Sequence, residues 1–236
     1  MIKAVLFDMD GTLLPLDIDE FFARYSALLS RRFTDVAPPK EFIARLMSST
    51  AKMVANTDPS RTLKQAFWED FTAGSGRDLD SMLSRVMEFY ATDFPALGAH
   101  YGFNPDARRA VEAATGKGYE VVLATNPLFP RVAIEERMKW GRIHDLPWKM
   151  VTTYEDMHYC KPNPQYYTEI LTAIMREPGE CVMVGNDTRD DLVASRLGLR
   201  TFLVEGFHVV RKNGFEPTWR GTLGDLASLI EKGFSS

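Results

Sequence analysis

A chain of 236 residues can hold one large core or two modest ones. A net charge of -4 gives no reason to expect nucleic acid or a membrane surface as partner, although a local pocket in an acidic protein can still be basic. Two cysteines, Cys160 and Cys181, build neither a disulfide scaffold nor a four-cysteine zinc site, and they fit a reducing compartment. Asp8 and Asp10 interrupt the apolar stretch that a signal peptide needs, and no run reaches spanning length, so a soluble, cytoplasmic protein is expected.

The first element is an apolar run, Ala4-Val5-Leu6-Phe7, that ends in Asp8-Met9-Asp10-Gly11-Thr12. In an open α/β sheet, ligands collect at the carboxyl ends of the strands, which places Asp8 and Asp10 on a functional edge. Two residues apart on a strand, they share a side. Two such anions repel unless a cation or a shared proton lies between them. Gly11 allows a sharp turn and Thr12 can tie it down.

Four helix-like segments follow. Ile18, Phe21, Phe22, Tyr25, Leu28, Leu29 and Phe33 recur at three and four, which predicts an amphipathic helix over Asp17 to Phe33 with acids in its first turn. Phe42, Ile43, Leu46, Met47, Met53 and Val54 repeat the spacing after Pro38-Pro39. Asp58-Pro59-Ser60 opens a third helix, which Gly74 and Gly76 close, and Leu79, Met82, Leu83, Val86, Phe89 and Tyr90 mark a fourth. Residues 15–98 thus read as an all-helical insertion, with 1–14 and 99–236 forming the remainder. Between Arg24 and Lys64 eight basic residues outnumber three acidic ones; a solvated helix face accounts for this, and a substrate with several anionic groups is the secondary reading.

From Asn104 helix and strand alternate. Helices are predicted over Pro105 to Thr115, Pro130 to Trp140 and from Pro164 to Ile174, then Leu192 to Leu197 and Thr222 to Lys232. Strands are predicted at Glu120 to Ala124, Met150 to Thr153, Cys181 to Val184 and Thr201 to Val204; residues 206–221 carry no pattern. Such alternation implies a parallel sheet with helices on its faces. Three strands then end in polar clusters on one edge: Asp8 and Asp10, Thr125 and Asn126, and Asn186, Asp187 and Asp191.

Those clusters suit hydrolysis of a phosphate monoester. Asp8 can attack phosphorus to form an aspartyl phosphate, while Asp10 gives a proton to the leaving oxygen and takes one from water. A divalent cation held by Asp8, the Asp10 backbone carbonyl and a carboxylate of the last cluster would offset repulsion between nucleophile and phosphate, and oxygen ligands favour Mg2+ over zinc. Thr125, Asn126 and Lys161 supply donors and positive charge to the equatorial oxygens. The four histidines have no ligand spacing, and Cys160 is a packing thiol.

In this set of residues the chain resembles the haloacid dehalogenase superfamily: Asp8-Met9-Asp10-Gly11-Thr12-Leu13, then Thr125, then Lys161, then Gly185-Asn186-Asp187 with Asp191. The resemblance implies a Rossmann-like core and a helical cap that closes over a small phosphorylated metabolite. One position departs from the more familiar pattern, since Asn186 stands where an Asp directly follows the glycine. Asp187 is the expected metal ligand, with the Asn186 amide oxygen as the alternative, because a carboxylate neutralises a divalent ion better than an amide. Asp191 would then hold metal-bound water or orient Lys161, and Asp190 is expected to be a solvated charge. The expected function is a Mg2+-dependent phosphatase acting on a small phosphorylated metabolite. A phosphomutase with the same intermediate and a non-catalytic binding protein are the alternatives.

Overall fold

The computed structural model describes residues 1–73 and 78–234. Its centre is β1 (Ala4–Phe7), four consecutive buried residues without alternation. A strand covered on both faces reads this way, and β1 lies inside a six-stranded parallel sheet. The other strands are β2 (Glu120–Leu123), β3 (Met150–Val151), β4 (Cys181–Gly185), β5 (Arg200–Val204) and β6 (Trp219–Gly221), in the order β3-β2-β1-β4-β5-β6. β1 pairs with β2 on one side, Phe7 opposite Leu123, and with β4 on the other, Phe7 opposite Val184. The strands that end in polar clusters are therefore immediate neighbours. Their register brings Asp8, Ala124 and Gly185 to one level at the carboxyl edge.

The helices on the sheet are α5 (Pro105–Gly116), α6 (Arg131–Trp140), α7 (Pro164–Ile174) and α8 (Leu223–Glu231). The expected helix at Leu192–Leu197 is a 3-10 helix. A strand, β6, lies in the stretch that carried no pattern, because three residues are too short to display a period.

Between β1 and α5 the chain forms four α-helices, α1 (Ile18–Arg31), α2 (Pro39–Val54), α3 (Leu63–Thr72) and α4 (Leu79–Thr92), and a 3-10 helix at Phe94–His100. The Asp17 carboxylate accepts from the amides of Asp19 and Glu20 and fixes the start of α1. The third helix opens later than expected: Thr62 and Gln65 form its capping box, while Asp58 accepts from the Ser60 amide and hydroxyl in the preceding turn. Its expected close at Gly74 and Gly76 lies outside the described residues.

Two first-turn amides of α3 would lack partners within the helix. They donate instead across to the segment after β3, Leu63 to the Met157 carbonyl at 2.9 Å and Lys64 to the Tyr154 carbonyl at 2.8 Å. The Asn56 amide adds a bond to the His158 carbonyl at 3.0 Å. An aromatic cluster of Phe21, Tyr25, Phe89, Tyr90 and Phe94 fills the middle of the insertion, and the buried apolar contacts run without a break from it to the sheet. Half of the eight basic residues enter surface pairs: Arg24 with Glu20, Arg32 with Glu88 and Asp93, Lys52 with Asp70, and Arg61 with Glu69.

Candidate active site

At the end of β1 the chain turns at once. Gly11 adopts φ +78°, a left-handed conformation that a Cβ would strain, and its amide donates to the Leu14 carbonyl at 2.8 Å. A Cβ there would also strike the Asn186 side-chain amide, so the turn packs directly on the loop after β4. Asp8 is buried at 7% exposure. Its Oδ2 accepts from the Thr12 hydroxyl at 3.0 Å and its Oδ1 from Lys161 Nζ at 2.8 Å.

Lys161 precedes α7 and is 2% exposed. Its ammonium also donates to Asp191 Oδ1 at 2.6 Å. The second Asp191 oxygen accepts from the backbone amides of Asn186 and Asp187, both at 2.9 Å. Only glycine fits at 185, because a Cβ would overlap the Asp191 carboxylate. One ammonium thus serves two carboxylates. Burial opposes the ammonium, yet Asp191 and Asp8 together hold the Lys161 amine well above its ordinary pKa. Burial pushes the Asp8 carboxyl above its ordinary value, with Lys161 pulling the other way, and pushes Asp191 up to about 6. The site retains uncompensated negative charge, which a cation would relieve.

β2 delivers Thr125 and Asn126. The Thr125 carbonyl is held by the Tyr166 hydroxyl at 2.8 Å and the Thr152 hydroxyl at 2.7 Å, while its own hydroxyl makes no hydrogen bond among the described residues. Asn126 Oδ1 accepts from the Lys161 backbone amide at 3.2 Å, which fixes the side chain and leaves its NH2 without a partner among the described residues. The ammonium lies against Asp8, and the strand order brings the end of β2, with Thr125 and Asn126, next to the end of β1.

The loop after β4 divides its residues differently from the expectation that Asp187 faces the site. Asp187 Oδ1 accepts from the amides of Arg189 and Asp190, at 2.8 and 3.0 Å, and Oδ2 from Arg211 Nε at 2.8 Å. Both oxygens are occupied, one in closing its own turn and the other by Arg211. Asn186 is the residue turned toward the turn after β1: its Nδ2 donates to the Phe207 carbonyl at 2.8 Å, which orients Oδ1 to accept from the Thr12 hydroxyl at 3.3 Å. Among the described residues no three His, Cys, Asp or Glu side chains gather as a metal centre. Asp8 and the Asn186 amide place oxygens on the two sides of the Thr12 hydroxyl, hard donors of the type that suits Mg2+. Asp190, expected to be solvated, is half-buried, and burial raises its carboxyl above the ordinary value.

Asp10 has a partner that the sequence reading passed over. Its Oδ2 pairs with Nη1 of Arg137, a side chain with no exposed surface. The signal was present: Arg137 falls in line with Ala133, Ile134 and Met138, the apolar stripe of α6, and a charge on such a stripe requires a buried counter-ion. Arg211, also missed, lies in the patternless stretch. An apolar cavity of about 40 Å³ between the insertion and the loops after β2 and β3, lined by Tyr25, Phe42, Trp68, Phe129 and Tyr154 among others, includes none of the polar site residues.

A parallel α/β sheet with a buried aspartate at the end of its central strand, joined by a lysine and a second aspartate from later loops, defines a hydrolase class. Residues 2–198 match the model of the haloacid dehalogenase-like hydrolases, and the chain belongs to that family. It is 28% identical over 235 residues to the phosphatase MT3486 of Mycobacterium tuberculosis, covering 97% of this chain and 95% of the relative. It is 25% identical over 205 residues to the pyrophosphatase PpaX of Anoxybacillus flavithermus, covering 85% and 82%. Among solved structures, a 2-haloacid dehalogenase from Pseudomonas syringae shares the fold over the whole of both chains with a TM-score of 0.66 at 19% identity. A HAD phosphatase from Thermococcus onnurineus does so with a TM-score of 0.58 at 22% identity, over 97% and 98%.

Proposed function

We propose that the protein is a Mg2+-dependent phosphatase that hydrolyses a small phosphorylated metabolite through a phosphate ester on Asp8. The observation that carries this reading is the setting of Asp8: buried, held on one oxygen by Thr12 and on the other by Lys161, with a second aspartate two residues on. Asp8 attacks phosphorus and the P–O bond to the leaving group breaks; Asp10 gives that oxygen its proton. Water then attacks the aspartyl phosphate, Asp10 takes the proton, and inorganic phosphate leaves. The Thr125 hydroxyl, the Asn126 NH2 and the Lys161 ammonium hold the phosphoryl oxygens, where charge gathers in the transition state. Bound Mg2+ would supply charge neutralisation between the nucleophile and the phosphate. Residues 15–98 act as a cap that excludes bulk water, and the names of two relatives, a phosphatase and a pyrophosphatase, support phosphorus as the centre attacked.

The test is phosphate release from a panel comprising p-nitrophenyl phosphate, pyrophosphate, glycerol 3-phosphate and a hexose 1-phosphate, with Mg2+ and with chelator. Release that requires Mg2+ is expected. Isomerisation of the hexose ester with little free phosphate would mean a mutase, and metal-independent halide release from 2-chloropropionate with no phosphate release would mean a dehalogenase.

Because both Asp187 oxygens already have partners, this reading takes the alternative metal ligand, Asn186. Asp8, the Asp10 backbone carbonyl and the Asn186 amide oxygen are the donors in this reading, with Asp191 orienting Lys161. Asn186→Asp should lower the half-saturating Mg2+ concentration by about tenfold, because it adds a carboxylate where an amide stood. Asp187→Asn should move that concentration less than about twofold and show itself in stability instead. A Mg2+ titration of activity checks both; a large shift for Asp187→Asn alone restores Asp187 as ligand.

A further inference from the structure

Arg137 heads the fully buried side chains in size. Taking a guanidinium out of water is costly, and a well-packed apolar side chain at such a position is often as stable or more so. A purely structural demand would therefore be met by methionine or leucine. The buried charge is compensated by one carboxylate, that of Asp10, through Nη1. The side chain also donates from Nε to the Ala133 carbonyl at 3.4 Å and lies over two aromatic faces, with the guanidinium carbon 4.6 Å from the Phe129 ring centre and 5.4 Å from that of Phe21. Nη2 is buried without a partner among the described residues.

The pair is asymmetric on the Asp10 side too. Arg137 takes Oδ2, while Oδ1 is buried and unpaired among the described residues. A carboxylate is planar, so fixing one oxygen and the backbone fixes the direction of the other. We propose that Arg137 is a positioning residue for the reaction: by gripping Oδ2 of Asp10 it presents the unpaired Oδ1 as the atom that exchanges the proton with the leaving-group oxygen and with water. This rests on the acid–base role given to Asp10 above. Phe21 belongs to α1 of the insertion and Phe129 to the loop after β2, so the guanidinium is packed from both parts of the chain. Seating of the insertion and orientation of Asp10 are linked through the Phe21 ring.

The experiment compares kcat and KM for wild type, Arg137→Met, Arg137→Lys, Asp10→Asn and the double variant Asp10→Asn/Arg137→Met. Two substrates are used: p-nitrophenyl phosphate, whose leaving group departs without a proton, and the fastest alkyl ester of the panel. Arg137→Met should lower kcat/KM on the alkyl ester by about 10²-fold and on the aryl ester by less than about fivefold, because only the alkyl leaving group needs the proton, while kcat falls on both, since hydrolysis of the shared aspartyl phosphate also uses Asp10; Arg137→Lys should recover part of each loss. The double variant should be no slower than Asp10→Asn alone, since Arg137 acts through Asp10. It buries no unpaired carboxylate at position 10, so it gives the answer even if Arg137→Met does not fold. Equal losses of kcat/KM on both esters, or a double variant about tenfold slower than Asp10→Asn, would overturn the inference. An Asp10→Asn enzyme whose kcat/KM falls equally on the two esters would overturn it as well, yet leave Asp8-dependent turnover standing; an active Asp8→Asn enzyme would remove the phosphatase reading itself.

Discussion

Asp8→Asn is expected to lower turnover of every ester by at least about 10³-fold while the protein keeps its fold and its affinity for substrate. An amide is a poor nucleophile, and no neighbour can replace Asp8: Asp191 is bound by Lys161 and two backbone amides, and Asp10 by Arg137. The substitution keeps shape: the amide oxygen can accept from Lys161, while the new NH2 faces the Thr12 hydroxyl, which can accept from it and donate to Asn186 instead, so stability changes little. Acid quenching during turnover should trap covalent phosphate on the wild type and none on the variant. Beryllium trifluoride, which mimics the phosphoryl group on a carboxylate, should bind the wild type in the presence of Mg2+ and fail with Asp8→Asn. Residual activity above a few per cent, or trapped phosphate on the variant, means that some other group attacks phosphorus.

The parts of this arrangement that were legible in the sequence are those carried by periodicity or by a strand end. The apolar run before Asp8 and the run before Gly185 are buried on both faces, which is why they read as central strands, and the three- and four-residue spacing of Phe21, Tyr25 and Leu29 follows from one buried helix face. Once the sheet is parallel, the neighbouring positions of Asp8, Thr125 and Asn186 follow from strand order. Partnerships that depend on rotamers did not follow. Asn186 and Asp187 are adjacent, and which of them faces Thr12 is decided by two distant groups, the Phe207 carbonyl and Arg211, that draw the Asn186 amide and the Asp187 carboxylate into place. Both come from the stretch without a pattern. The onset of α3 at Thr62 was likewise decided from outside, since the Met157 and Tyr154 carbonyls accept the amides that begin the helix.

Charge accounts for why such a site needs its lysine more than any other single side chain except the nucleophile. Asp8 and Asp191 are both buried, they come from different loops, and Lys161 bridges them at 2.8 and 2.6 Å. An isolated pair of buried carboxylates at this separation is strongly unfavourable, and removing the shared cation leaves two uncompensated charges where one residual charge stood before.

Lys161→Met is therefore expected to cost about 3–5 kcal/mol of stability, which for a chain of this size lowers the melting temperature by roughly 10 °C. Activity, measured well below that temperature, should fall by about 10²–10³-fold, the loss typical of removing one charge-stabilising donor from a transition state. The two effects separate in the double variant Lys161→Met/Asp191→Asn. Replacing the Asp191 carboxylate by an amide removes one of the two orphaned charges, so much of the stability returns, while turnover does not, because the phosphoryl oxygens still lack the ammonium. Thermal unfolding and kcat on p-nitrophenyl phosphate read the two quantities independently. If activity recovers along with stability in the double variant, the lysine serves only to hold the loops together, and the charge that quiets the transferring phosphate must be sought elsewhere on the carboxyl edge.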